Sequence, residues 1–536
     1  MSRLENGKTI TLPAPVGGID QKSPLAAMPA INSPWMLNID PYPQSLKVRN
    51  GYVIHAVITP STATDVILAL GAYAARGISS SGGSLFAYFV DATAVPNTFV
   101  YDVTTSTPSL NQTLNSNGGS RPTTAVPLLG GLAFFSSLPP FDDSCAFYKL
   151  PTSTFQPWAF VDESSNPIAS PVTTSFKGRV YASADGGIYY SEDPDIISGT
   201  LIFRDLSYTF TLPNGGGAWI AAISSPGERA DEVFLAIGHS CEILVYGGDY
   251  PDSSTWGLVG QYEIPGPLGV NPIVKYGNDV WVFTQTGIVS LRDLFTYGNV
   301  LTDEGSVSVN INPYWTELIR KMTTTIPIVD FTQFPIHGVY WPERNQILTL
   351  LPGHIDQDGT YHSDIATMCV YNTISKAWAF HSIEGLDTSK IGGLTYFNGN
   401  VYFYCKNVIL KVDLTGYKDE TYNNAGNYSS YDFAIHGAYQ SFGDEQVNKR
   451  ISGFQPIMKT DFSGTKVGVR AVADFGRQVS DLAKIELVDG FNTGQYSVGA
   501  QGTYLQWRLE GESDVSSTDG LELFAMGAVL QPGGIR

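Results

Sequence analysis

The chain is poor in charge. Only 15% of its 536 residues are Asp, Glu, Lys or Arg, against about a quarter in an ordinary soluble domain. Its surface must rely on Ser, Thr, Asn, Gln, Gly and Tyr, as in extracellular and virion assemblies whose subunits cover one another. The charge present is mostly of one sign: 31 Lys and Arg against 50 Asp and Glu give a formal −19. Phosphate affinity comes mainly from Lys and Arg, so this balance argues against a protein that grips nucleic acid. It is compatible with a channel through which nucleic acid slides. Cysteine is scarce too. Cys145, Cys241, Cys369 and Cys405 are widely spaced, with no C-x-x-C pair, which argues against metal binding. Cys241, Cys369 and Cys405 sit in apolar strand patterns and are expected as buried free thiols, suited to synthesis in a reducing cytosol. No run of about 20 apolar residues and no signal-type segment is present. The expectation is a soluble chain without standard export or stable membrane insertion.

Catalytic signatures are missing as well. There is no G-x-S-x-G and no H-E-x-x-H. Seven histidines are scattered, and His55, His239 and His337 fall at strand edges. Ser183-Ala-Asp185-Gly-Gly187-Ile-Tyr-Tyr190 fits the Asp-box of sialidase propellers, a turn device even where the match is true. His354-Ile-Asp356-Gln-Asp358-Gly359-Thr-Tyr-His362-Ser-Asp364 resembles half of a calcium loop but lacks the closing glutamate, so an exposed hairpin loop is expected. Asp142-Asp143 and Asp249-Tyr-Pro-Asp252 are expected as turn acids. Gly82-Gly83 and Asn214-Gly-Gly-Gly217 have no following Lys and no strand–loop–helix context for a phosphate. The sequence therefore assigns no catalytic, cofactor-binding or metal-ligating residue, and it leaves the lining of any channel unassigned.

What the chain does have is a repeat. A turn residue, a short apolar and aromatic strand, a tight turn and a second strand recur: Phe176-Lys-Gly-Arg-Val-Tyr, Ala230-Asp-Glu-Val-Phe-Leu, Gly277-Asn-Asp-Val-Trp-Val and Asn398-Gly-Asn-Val-Tyr-Phe. Val180, Val233 and Val280 are roughly 50 residues apart, the length of one four-stranded propeller blade. A blade cannot bury both faces alone, so the repeat predicts a closed β-propeller of about six to eight blades. The 55 Gly and 32 Pro suit many short strands joined by tight turns.

Three regions follow. Residues 1–60 are expected as an extended proline-rich arm, with Pro13, Pro15, Pro24, Pro29, Pro34, Pro41 and Pro43 opposing long helices. The arm carries Arg3, Lys8, Lys22, Lys47 and Arg49 against Glu5, Asp20 and Asp40. It is a candidate to dock on an acidic face of its own or a neighbouring subunit. Residues 61–420 are expected as the propeller, with a short helical insertion near 312–322. There Asn312 is read as the cap, Pro313 as the first position, and Trp315, Leu318, Ile319 and Met322 as one apolar face. Residues 421–536 alternate differently, in Phe433–Tyr439, Lys466–Ala473 and Tyr504–Glu510, and are expected as a β-sandwich-like domain.

Several segments carry a resemblance. Pro15-Val-Gly-Gly-Ile-Asp-Gln-Lys-Ser-Pro-Leu-Ala-Ala-Met-Pro, then Leu37-Asn-Ile-Asp-Pro and Leu46-Lys-Val-Arg-Asn-Gly-Tyr52, resemble the opening of the tail nozzle (tail tubular protein B, or tail hub) family of short-tailed bacteriophages. Asp279–Leu291, the segment with Pro313, Val339–Pro352, Phe442-Gly with Lys449-Arg-Ile, and Leu530–Gly534 are similar to the same family, in the same order. Residues 61–170 and 480–500 show little match. The resemblance implies a virion structural protein that is not an enzyme and needs no cofactor. It also implies a hexameric ring under a portal–adaptor complex, contacts with tail fibres or a tailspike, and a channel that retains packaged double-stranded DNA and conducts it into the host. The alternative classes are a receptor- or glycan-binding propeller of the tail, which would use Tyr and Trp as sugar platforms, and a sialidase-like glycosidase.

Overall fold

The computed structural model describes residues 8–59, 66–74, 83–90, 98–114, 122–128, 131–136, 146–149, 154–157, 160–165, 172–184, 187–192, 199–206, 218–224, 233–239, 241–268, 272–297, 306–325, 336–421, 425–443, 445 and 447–535. Four antiparallel strands make the first blade: Val66–Ala74, Gly83–Val90, Thr98–Asp102 and Ser109–Leu114. The second runs from Pro122–Leu128 to Thr154–Pro157, the third from Val172–Phe176 to Gly199–Asp205, and the fourth from Ala218–Ser224 to Gly257–Glu263. Val180, Val233 and Val401 each lie in the second strand of a blade, as the repeat predicts. The short strand Phe160–Val161 adds a parallel edge to the third blade.

Five sheets have this free-standing form, fewer than the six to eight expected. The fifth is made of Ile391–Phe397, Asn400–Cys405 and Val408–Asp413, closed by Gly51–Val57 from near the start of the chain. Two further units complete the circuit in altered form. One is the three-stranded sheet Ile273–Tyr276, Asp279–Thr284 and Gly287–Ser290, which runs directly into the helix Leu291–Tyr297. The other, from His337–Trp341 to Ala377–Ile383, is part of a ten-stranded sheet. Contacts between successive units run around all seven, mostly through their leading strands, and return to the first blade through Ile391–Phe397. The count by free-standing sheets falls short because one unit has three strands among the described residues and another is fused to a neighbouring layer.

The fusion is made by the arm. Trp35–Leu37 pairs in parallel with Ala377–Ile383 on one side and antiparallel with Asp432–His436 on the other. Beyond it the same sheet continues through Leu505–Glu512 and Gly464–Ala473. A second sheet is built on the long pair Val447–Thr460 and Leu521–Ile535. Lys8–Pro13 and Leu46–Val48 pair with the free side of Leu521–Ile535. The two sheets face each other across Phe454, Met458, Leu523 and Met526 on one side and Phe433, Ile435, Val469 and Leu509 on the other, all buried. Alternating inward residues on two facing sheets make a sandwich. The segment expected as an arm is extended, and it supplies strands to both the sandwich and the last blade.

The helix expected near 312–322 is Asn312–Thr325. Trp315, Leu318, Ile319 and Met322 are buried on one face, and Trp315 Nε1 donates to the Thr284 carbonyl at 2.9 Å. Asn312 does not cap it. A 3-10 turn, Val309–Ile311, precedes it, and Asn312 already has helical φ −54° and ψ −38°. Its side chain instead accepts from Ser308 Oγ at 2.6 Å.

Candidate functional site

A dense polar cluster lies where arm, last blades and sandwich meet, and it is centred on Arg49. Its guanidinium is fully buried and every N–H is used. Nε donates to Asn38 Oδ1 at 2.7 Å. Nη1 donates to the Asn50 carbonyl at 2.9 Å and to Asp419 Oδ1 at 2.8 Å. Nη2 donates to the Ser382 carbonyl at 3.0 Å and to Asp419 Oδ2 at 2.6 Å. The cation lies 3.7 Å from the Tyr431 ring centre and 4.7 Å from that of Tyr52, inside the range for cation–π attraction. Burial opposes the charge, but Asp419 outweighs it and holds the guanidinium above its ordinary pKa. One residue of the arm thus binds blade (Ser382), connector (Asp419) and sandwich (Tyr431).

A second layer surrounds it. Tyr52 donates to His381 Nδ1 at 3.1 Å, and His381 Nε2–H donates to Asp40 Oδ1 at 2.9 Å. Burial pushes His381 below its usual range against the pull of Asp40. Arg344 lies 3.8 Å from Asp40 and donates to Asn50 Oδ1 at 2.5 Å. Local geometry explains the neighbouring glycines. A Cβ on Gly51 would sit 1.7 Å from the Lys418 carbonyl oxygen. Gly18 has φ +78°, and a Cβ there would lie 2.7 Å from the Trp378 backbone. The chain passes too close at both points for any side chain.

The segments tested for chemistry are structural where they are described. Asp356 Oδ1 accepts from the Asp358 and Thr360 amides, both at 2.9 Å, and Oδ2 faces His362 Nε2 at 3.1 Å. The 354–364 loop is thus tied by its own aspartate, and no group of three metal-ligating side chains occurs among the described residues. Asp249 accepts from Lys177 Nζ at 3.2 Å, and Asp252 accepts from the Tyr190 hydroxyl. These turn acids of the fourth blade therefore clamp the third. Ser183 pairs with Ile188 across the hairpin of the Asp-box match. Asp185, Asp142, Asp143, Asn214–Gly217 and Cys145 lie outside the described residues. His55 Nε2 bonds the Val103 carbonyl at 2.8 Å. Cys241, Cys369 and Cys405 are free, the last two buried and Cys241 half-buried.

No family model matches the chain, and no curated protein does. Solved structures similar to it include Sqt1 of Saccharomyces cerevisiae, at 10% identity over 72% of this chain and 97% of that one, with a TM-score of 0.37. BamB of Moraxella catarrhalis is 12% identical over 70% and 95%, with a TM-score of 0.33. The WD40 β-propeller domain of Doa1 is 11% identical over 67% and 96%, with a TM-score of 0.34.

The sequence places Arg49 in a basic arm and in the family-like stretch Leu46–Tyr52 without giving it a role, and it does not single out Asp419, His381 or Tyr431. The signal available was Arg49-Asn-Gly51-Tyr52 itself. Its Arg is the hub, its Gly permits the close pass, and its Tyr is the stacking partner.

Proposed function

We propose that this protein is a structural tail component of the nozzle type. Six copies form a ring whose channel retains packaged double-stranded DNA and conducts it on ejection. The resemblance in residues 15–52 carries the reading, and one observation supports it. The residues that carry the resemblance include those that join arm, propeller and sandwich at the Arg49 hub, so the motif has an architectural reason and needs no reaction. The net charge of −19 suits a channel wall that repels phosphate and lowers friction on moving DNA. A closed ring requires a head-to-tail interface between unlike patches. The arm is a poor candidate for that interface, because its strands and its Arg49 are spent within the subunit. The complementary surfaces belong to the blades and the outer sandwich faces.

The test is imaging of the purified chain alone and after addition of the portal–adaptor complex of its phage. Six-fold rings with an axial channel support the proposal. A monomer or trimer that ignores the adaptor and binds glycans transfers the assignment to a receptor-binding propeller.

A further inference from the structure

A cleft of about 450 Å³ opens between the outer face of the sandwich and the loop after Ile355, continuous through Trp35, Asp356 and Gln357 with a second of about 400 Å³. His436 and Arg508 line its floor, in a row that continues to Arg470 beside it. His436, Arg508 and Arg470 are cross-strand neighbours on three adjacent strands. Arg508 and Arg470 are like charges side by side in a sheet and repel, so the pair calls for an anion, while burial and both arginines hold His436 well below its usual range and neutral. Arg470 has one, Glu510. Arg508 pairs with no carboxylate among the described residues. Its Nε donates to Gln506 Oε1 at 2.9 Å, and it also bonds the Tyr439 hydroxyl, which leaves part of a five-donor fork unused. His436 lines the same cleft, is 4% exposed, and keeps Nε2 buried without a partner. A buried polar atom left unpaired costs free energy that a ligand can recover.

The rim adds an aromatic surface. Phe475 is 46% exposed and packs between Tyr439, 4.8 Å away, and Tyr504, 5.2 Å away. Asp474 and Phe475 both have positive φ, 45° and 60°, a backbone state that non-glycine residues adopt at a cost and that gathers at binding sites. A partly exposed aromatic ring beside planar amides and a guanidinium matches a pyranose with a charged substituent.

We propose that this cleft binds a carboxylate-bearing sugar, with Arg508 and His436 on the carboxylate and Phe475 under the ring. The volume is that of a small-ligand site. The floor strands are hydrogen-bonded on both sides, so no free ladder is offered to an extended peptide. Glu317, Asp356 and Asp358 on the opposite side disfavour a phosphate dianion more than a single carboxylate. The site stands independently of ring assembly.

The test is calorimetric titration of the full chain with a panel of uronic- and sialic-acid-terminated oligosaccharides and their neutral counterparts. At least one acidic sugar binds about tenfold or more tighter than its neutral partner, the value of one charge-assisted hydrogen bond. Arg508→Gln abolishes that preference. Phe475→Gly weakens both sugars while leaving thermal stability unchanged or higher, because glycine accepts the positive φ. No binding by any acidic sugar, equal affinity for the neutral ones, or undiminished preference in Arg508→Gln overturns the proposal.

Discussion

Replacing Arg49 by Ala removes the cation at the hub and leaves its partners in place. Asp419, 16% exposed, keeps the Tyr52 amide at 2.9 Å but loses both charged donors. The Asn50 and Ser382 carbonyls lose their guanidinium donors, and two tyrosine rings lose the cation between them. Breaking a buried ion pair from one side costs about 3–5 kcal/mol, because the other charge stays buried. Arg49→Lys keeps the charge but gives up the planar five-donor fork, and a loss of about 2–3 kcal/mol is expected. Urea denaturation followed by tryptophan fluorescence reads both, and the order of stability is Arg, Lys, Ala. A double-mutant cycle with Asp419→Ala should give a coupling of about 2 kcal/mol or more. A loss below about 1 kcal/mol in Arg49→Ala, or a coupling near zero, would refute the claim that this residue holds the three regions together.

Three further outcomes follow from the same geometry. His354 is buried, and burial together with His362 pushes its pKa down to about 4. The unfolded chain takes up that proton near pH 6.5, so stability falls as pH drops from there toward 4. Between pH 7 and pH 5 His354 costs about 2 kcal/mol, and denaturation at the two pH values should show that increment shrink in His354→Asn. Gly51→Ala forces a Cβ onto the Lys418 carbonyl and should cost about 3 kcal/mol in the same assay; a neutral result would contradict the close approach. Cys369 and Cys405 are fully buried, and burial pushes the Cys405 thiol up to about 12. Mass spectrometry after brief thiol labelling should find both unmodified in the native protein and modified in denaturant, with half-buried Cys241 the more reactive.

The hairpins were legible because their chemistry is local. Turn residues at Gly178, Asn278 and Gly399 precede strands whose alternation is set within a few residues. The helix was legible from Pro313 and its apolar face, but its first turn was not. Ser308 takes the Asn312 side chain that would otherwise cap it, a competition that composition does not reveal. The arm was legible only in outline. Seven prolines suggest an extended segment, and it is extended, yet short strands such as Trp35–Leu37 pair with partners more than three hundred residues away. No periodicity within the arm records such partners. The hub was invisible for the same reason: Arg49 meets Ser382, Asp419 and Tyr431 only after the propeller has closed. The row at the cleft likewise needs the register of three strands before His436, Arg508 and Arg470 become neighbours.

Cryo-electron microscopy of the chain mixed with its portal–adaptor complex tests the proposed function most directly. The account predicts a six-fold ring, blades and sandwich faces at the subunit contacts, the arm folded within each subunit, and Asp and Glu facing the axial channel. A chain that stays monomeric with the adaptor present, or a ring whose channel is lined by Lys and Arg, would contradict it.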